Sequence, residues 1–474
     1  MTQPALDRDE LHQQLAAIVG PHNVSRRQAD LVAYSHDLWP LALIWKRQGK
    51  IPYPPDVVVW PETVEEVSAT LRLANARRVP VVPYGAGSGV CGGTLPLHGG
   101  IVVDLKKMHR ILAFNQTGLT VTAQAGILGE DLERALNQRG YTLGHFPSSM
   151  YCSTLGGWLA ARSAGQLSSR YGNIEDLTLG LQVVLPSGEV IRTKDTPRSA
   201  AGPDLKQLFI GSEGTVGIIT QATLCMVPYP ESRRLRGLLF QDVHSGLEAL
   251  RLVMRRGLRP AVARLYDEND TNIALGSLGY GVTGCLLVLG FEGDAQLTEL
   301  EERLGLEICR REDGQDLGAG PGEHWWAHRY DISYKQADIL SNQNAISETV
   351  EVATTWDKLE LLYLAVKASL EENCFTMAHF SHAYPQGCSI YFTIVAESSN
   401  EQECEALYRR IWQGAMEACL KVDGTITHHH GVGLLKAPWL PQEYGGGYPV
   451  LRELKKALDP NDIMNPGKLG LGGG

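Results

Sequence analysis

No stretch of this 474-residue sequence comes near the ~20 consecutive apolar residues of a membrane-spanning helix, which excludes such a helix. The opening MTQPALDRDE lacks both the basic and the apolar part of a signal peptide. The closing GLGLGGG carries no peroxisomal or retention tripeptide, so a cytoplasmic location is expected. Basic clusters are missing too: with a net charge of -10 the chain has nothing to track a phosphate backbone, and nucleic-acid binding is set aside. Its nine cysteines are odd in number and include no CxxC pair, which argues for reduced thiols against a disulfide framework. Internal repeats are absent, and low complexity is confined to the terminal glycines. What remains is an ordinary globular composition, 43% apolar and 20% charged, long enough for two or three cores.

Glycine is what the chain concentrates. In VPVVPYGAGSGVCGGT, residues 79–94, a strand-like run leads into Gly85, Gly87, Gly89, Gly92 and Gly93, and a second apolar run follows at 101–105. Glycines take positive φ and carry no side chain, so successive N–H groups can turn inward as a concave anion nest. The spacing Gly87-x-Gly89-x-x-Gly92 satisfies GxGxxG, yet no helix follows it, which rules out a Rossmann dinucleotide site. Taken alone, the loop is also compatible with a plain tight connection.

Around it, residues 8–19 are predicted as a helix and 56–60 as a buried strand. Pro61-Glu62-Thr63 opens a helix with Val64, Val67, Leu71 and Ala74 on one face. Strands at 111–114 and 119–125, a helix at 128–138, a hairpin of 177–185 with 190–193 and a strand from 218 to 228 follow. Between them, 145–176 crowds Ser, Gly and Ala, a composition suited either to a backbone lying against a large flat ligand or to a tightly packed helix pair. From about 233, strands (235–240, 261–265, 285–291, 389–396) alternate with helices (243–256, 296–304, 401–420), as in an α+β domain. Residues 311–343 resist assignment, and 448–458 is an amphipathic helix. The apolar stretch 38–51 reads as a lipid-touching surface or a buried lid.

Three blocks in this order, PYGAGSGVCGG, STLGGW…YGNIEDL and GPDLKQLFIGSEGTVGIIT, resemble the FAD-binding domain of the vanillyl-alcohol oxidase and p-cresol methylhydroxylase (PCMH) superfamily. With PDVVVWP, ARLYDEN, TTWDKL and THHHGVG, the chain from about residue 34 onward is most similar to the alkylglycerone-phosphate synthases within it. The resemblance implies an α+β fold of two domains: a PCMH-type FAD-binding domain at 1–230, an antiparallel-sheet cap at 231–423, and a C-terminal segment at 424–474 returning to the flavin. It implies noncovalent FAD and an exchange of the acyl group of acyl-dihydroxyacetone phosphate for a fatty alcohol through a flavin N5 adduct. A lipid-like small molecule, peripheral membrane contact and a homodimer are the expected partners. DPNDIMNPGKL at 459–469 looks more like the D-2-hydroxyacid (D-lactate or glycolate type) dehydrogenases, the alternative function. A third reading is an FAD-binding subunit that passes electrons within a complex.

Carried onto this sequence, the resemblance assigns Pro83, Tyr84, Gly85, Ala86, Gly87, Ser88 and Gly89 to the diphosphate. Pro147, Ser148, Ser149, Ser153, Thr154, Gly156, Gly157 and Ala160 are placed along adenosine and flavin, and Glu213, Gly214, Gly217, Ile218 and Ile219 on the far side. The same matching makes Arg264, Arg329, Tyr384, His428, His429 and His430 the catalytic candidates. Arginine is a fixed cationic fork for phosphate or carboxylate, and a tyrosine beside a flavin can move a proton. Three adjacent histidines in extended backbone cannot all enter one core, so at least one is expected to face a cleft. No metal is expected, because His429 stands where the hydroxyacid-oxidising relatives carry an acidic ligand, although His379 and His382 keep that reading open. Cys152 lies near a flavin-attachment position of some relatives, but the partnering histidine in the glycine loop is missing.

Overall fold

Runs of β-branched residues build the first sheet. In the computed structural model, which describes residues 7–276, 279, 281, 283–331, 342 and 344–473, Val57–Val59 is buried on both faces, as a central parallel strand requires. It pairs in parallel with Ile101–Asp104, which pairs in parallel with Val81–Tyr84; Val24–Ser25 adds an antiparallel edge. The connecting helix Val64–Arg77 starts where Thr63 Oγ1 accepts from Glu66 N, and it buries Val67, Leu71 and Ala74. Glu65 and Glu66 in its first turn complement the helix dipole. The expected N-terminal helix is present as Arg8–Val19.

A second, antiparallel sheet runs in the order Ile111–Asn115, Thr120–Gln124, Ile218–Cys225, Thr178–Val184, Val190–Arg192. It shares one hydrophobic core with the first, and that core contains Ile463 and Met464. Met464 bridges Val81 in parallel, so the C-terminal segment does return to this part of the molecule.

The third sheet is antiparallel throughout, in the order Gln315–Asp316, Ser232–Phe240, Cys285–Gly293, Val262–Tyr266, Phe375–Ser381, Gly387–Glu397, Ala345–Thr355. Helices Trp356–Glu371 and Cys404–Lys421 pack on each other and on its last strands. The molecule thus has the α+β architecture expected, with a sheet-based cap.

Three elements of the cap, Ala345–Thr355, Trp356–Glu371 and Phe375–Ser381, have no counterpart in the sequence reading. The first is buried almost throughout although it carries Ser347, Glu348, Thr349 and Glu351, a polarity that hides a core strand. The helix expected at 296–304 runs on as Ala295–Arg311. Gly305, which looks like a stop, lies inside this helix and packs closely on the Phe291 ring, 3.0 Å from where a Cβ would be. Within 311–343 the structure has the helix Gly320–His328; residues 332–341 and 343 lie outside the described set.

The stretch 38–51 is buried in its middle, while Leu38 and Ile51 at its ends are exposed. Its helix Pro40–Arg47 buries Leu41, Ala42 and Ile44 in the core of the cap. Trp39 Nε1 donates to Tyr408 Oη at 2.9 Å, and Arg47 pairs with Glu401 at 3.0 Å. Among the described residues, no helix is long and apolar enough to cross a membrane.

Candidate functional site

The loop leaving Val81–Tyr84 lies so close to its surroundings that side chains have no room. Gly87 has φ +65°, and a Cβ there would fall 2.0 Å from Tyr84 Oη; one on Gly85 would fall 2.3 Å from Thr154 Oγ1. Leu38 N donates to the carbonyls of Gly87 and Gly89 at 3.2 and 2.9 Å, fixing the loop from above. The bare backbone borders a cavity of about 1450 Å³. Thr154 opens the next wall by capping the helix Leu155–Ala161 through Gly157 N.

Every cofactor candidate lies on this one cavity: Pro83 through Gly89, Pro147, Ser148, Ser149, Ser153, Thr154, Gly156, Gly157, Ala160, Glu213, Gly214, Gly217, Ile218 and Ile219. A cradle that a Cβ would fill, continued by a wall of small residues, fits the diphosphate and flat rings of FAD. One member is engaged elsewhere: the Glu213 carboxylate accepts from Val432 N at 2.6 Å and Gly433 N at 2.8 Å. Its side chain therefore holds the C-terminal loop.

The cap closes the opposite side. Arg264, on Val262–Tyr266, and Arg329, just after Gly320–His328, both reach the cavity. Arg264 Nη2 is 3.3 Å from His379 Nδ1, and its Cζ lies 5.2 Å from the Tyr266 ring centre. Arg329 Nη1 donates to Trp326 O at 2.5 Å, with its Cζ 3.9 Å from the Trp326 ring centre. In both, the buried Nε–H has no acceptor among the described residues. Both guanidinium groups carry a permanent charge and border the cavity, so either can meet an anion there. Val262, Leu275, Leu286, Val288, Pro321 and Trp325 make the apolar part of this wall, beside Asp270, His324 and His379.

The histidine run is a bend and not a strand. His429 and His430 face the cavity, whereas His428 and Tyr384 do not line it. These two sit one ring behind: His428 Nε2 is 3.0 Å from Tyr384 Oη, and His428 Nδ1 is 3.0 Å from His429 Nδ1. Asn173 Nδ2 donates to Tyr384 Oη at 3.0 Å, so a hydrogen-bonded chain leads from Asn173 to the cavity. Burial depresses His428 and His429, lowers His430 to about 4 and pushes the Tyr384 phenol up to about 12. At neutral pH the chain is uncharged.

Sequence reasoning missed what holds this loop. Glu351, on Ala345–Thr355, accepts from Lys436 Nζ at 2.6 Å, Thr427 Oγ1 at 2.7 Å and His430 N at 3.2 Å, and also from His428 N. Burial works to raise its carboxyl, but Lys436 and His430 outweigh it and bring it down to about 2. The one available signal was a carboxylate within the β-branched run ISETVEVATT. Asp270 was missed as well; it lines the cavity 3.3 Å from His379 Nδ1, and burial, opposed by Arg264, lifts its carboxyl to about 7. Asp37 borders the glycine loop, with a buried Oδ2 that has no partner among the described residues. Nitrogens of His382, His428 and His429 lie within 4.8 Å of one another, and His382 Nδ1 is held 2.7 Å from Ser168 Oγ.

Comparison with known proteins gives two domain matches. Residues 55–194 match the family described as FAD binding domain, and residues 229–469 that described as FAD linked oxidases, C-terminal domain. An alkyldihydroxyacetonephosphate synthase of Trypanosoma brucei brucei is 33% identical over 469 residues, covering 91% of this chain and 75% of that protein. The glycolate oxidase subunit GlcD of Bacillus subtilis (strain 168) is 30% identical over 468 residues, covering 97% of this chain and 96% of that protein. A solved alkyldihydroxyacetonephosphate synthase superposes with a TM-score of 0.84 at 27% identity, over 98% of this chain and 87% of that one.

Proposed function

The chain belongs to the FAD-linked oxidases, and from that premise we propose that it exchanges the acyl group of acyl-dihydroxyacetone phosphate for a fatty alcohol. It is an FAD-dependent enzyme; the substrate is the proposal. The observation that carries it is the cap face of the cavity. Two guanidinium groups border the cavity beside the apolar side chains of Val262, Leu286, Val288 and Pro321. A phosphate carrying a long hydrocarbon chain satisfies both features, the anion through bidentate arginine contacts and the chain through burial.

Bound FAD supplies the electron-accepting ring on which such an exchange depends. Arg264 and Arg329 hold the phosphate and thereby orient the acyl-bearing carbon, while Val262, Leu286 and Val288 keep water from it. His429, neutral and facing the cavity, takes the substrate proton and passes one from its Nδ1 to His428, whose Nε2 shares it with Tyr384 Oη. The rings are engaged with one another and with Ser168, and the nearby Glu351 carboxylate is taken up by Lys436, Thr427 and the loop amides, so the reading invokes no metal. FAD is proposed to be noncovalent, since the histidine that would partner Cys152 in the glycine loop is missing.

A second reading has a specific support: the chain spans nearly the whole of the glycolate oxidase subunit. There one arginine would hold a carboxylate and a histidine would act as base. Anaerobic titration of the flavin absorbance separates the two. Acyl-dihydroxyacetone phosphate is expected to perturb the band, and added fatty alcohol to yield the alkyl product by mass spectrometry. Bleaching by D-lactate or glycolate, with no exchange, would retire the synthase reading.

Arg264→Met is expected to lower kcat/KM for the phosphate substrate by about 10- to 100-fold, the loss of one charged hydrogen bond. The effect belongs mainly in KM, read from initial rates. An unchanged KM would remove Arg264 from anion binding.

A further inference from the structure

We infer that the buried Glu351–Lys436 pair is the positioning device of the histidine loop: one carboxylate holds the loop backbone in register, and one ammonium balances that carboxylate's charge. The inference deepens the function proposed above and rests on it only for the turnover readout. Both side chains are fully buried and 2.6 Å apart. The same carboxylate takes the amides of His428 and His430 and the Thr427 hydroxyl. It stands 4.0 Å from Nδ1 of both His429 and His430.

Glu351 belongs to the cap sheet, whereas the far end of the loop, at Val432 and Gly433, is held by Glu213 from the glycine-loop side. The rings are therefore set between the two domains by two buried carboxylates. Only Glu351 touches the histidine segment itself. A carboxylate buried without a counter-ion is strongly unfavourable, so Lys436 is the condition for Glu351 being there.

Other charged and titratable groups face this cluster. Glu348, on the same strand, is bonded by Tyr408 Oη. Cys91 comes from the glycine loop and His382 from the neighbouring strand segment; Arg264 acts on His382 and Tyr391. Tyr391 stacks 6.1 Å from His429 and meets His430 edge-on at 5.5 Å. None of these can replace Lys436, whose ammonium is the one within hydrogen-bond distance of Glu351 among the described residues.

The pair acts on the rings with opposite signs: the anion favours protonated imidazole and the ammonium opposes it. This gives a readout that scaffolding alone would not move. Wild type, Lys436→Met and the double variant E351Q/K436M are compared as FAD-bound protein. Thermal midpoint is measured, and protonation of His430 is followed by NMR of ¹⁵N-histidine-labelled protein, with the resonance assigned by its loss in His430→Gln.

In Lys436→Met, His430 is expected to titrate about one pH unit or more higher, with a lowered midpoint. In the double variant both values return toward wild type, while turnover stays depressed because the amides of His428 and His430 have lost their carboxylate. If Lys436→Met is recovered unfolded, recovery of folding in the double variant establishes the charge balance. A double variant no more stable than Lys436→Met, or a His430 titration that Lys436→Met leaves in place, would overturn the inference. Absence of acyl exchange in the wild type would count against the proposed reaction only, since midpoint and titration do not depend on it.

Discussion

Substituting His429 with Ala is expected to lower turnover by about 10²- to 10⁴-fold, the usual contribution of a placed proton-transfer group, while FAD stays bound. The ring borders the cavity but forms no part of the glycine cradle, so the visible spectrum and the FAD content per chain should match wild type. Tyr384→Phe is expected to act in the same direction although Tyr384 does not reach the cavity. It removes the hydroxyl 3.0 Å from His428 Nε2 and so the far end of the proton path. Because both changes cut one chain, their effects should not add: the double variant is expected to be no slower than His429→Ala alone. Three measurements decide this, namely FAD absorbance, kcat of each single variant and kcat of the pair. Multiplying rate losses would mean that Tyr384 acts on its own, and joint loss of flavin would assign the histidine a structural role.

The parts legible in the sequence were those whose physics is local. Residues 85–89 announce a loop without room for side chains, since Gly87 has φ +65° and a Cβ on Gly85 or Gly87 would clash, and the consecutive valines at 57–59 announce a strand buried on both faces. What escaped was set by partners distant in the chain. Glu351 looks like surface polarity in a β-branched run until Lys436, 85 positions on, is placed against it. Trp39 looks like a membrane-facing aromatic until Tyr408 supplies an acceptor for its indole N–H. Glu213 was expected at the flavin because its neighbours are there. Its φ of +51° and its two amide partners, 219 and 220 residues later, cannot be read from spacing. The histidine run was legible as a group with a member facing a cleft, but not in its geometry: two rings face the cavity and the third turns back to Tyr384.

Gly433→Ala is expected to be the most destabilising single exchange in the loop, at about 3–5 kcal/mol, with a fall in Tm of about 5–10 °C. A Cβ at 433 would lie 2.1 Å from Cys91 O, a backbone atom that cannot swing aside, and the residue has φ +54°. Cys91 O also receives Leu434 N at 2.8 Å and Leu435 N at 3.1 Å, and Gly433 N itself binds Glu213. Relieving the clash therefore breaks several hydrogen bonds at once, each worth about 1 kcal/mol or more, beyond the strain of a left-handed alanine. The comparison is Gly257→Ala, where φ is +80° and nothing lies within 4 Å of the new Cβ. That variant bears the backbone strain alone, about 1 kcal/mol. A thermal scan of flavin fluorescence reads both. If the two variants melt together, the weld between glycine loop and histidine loop is not what holds the site. If Gly433→Ala alone releases FAD early, the same contact that positions the histidines also closes the cofactor cradle, and the two halves of the site unfold as one unit.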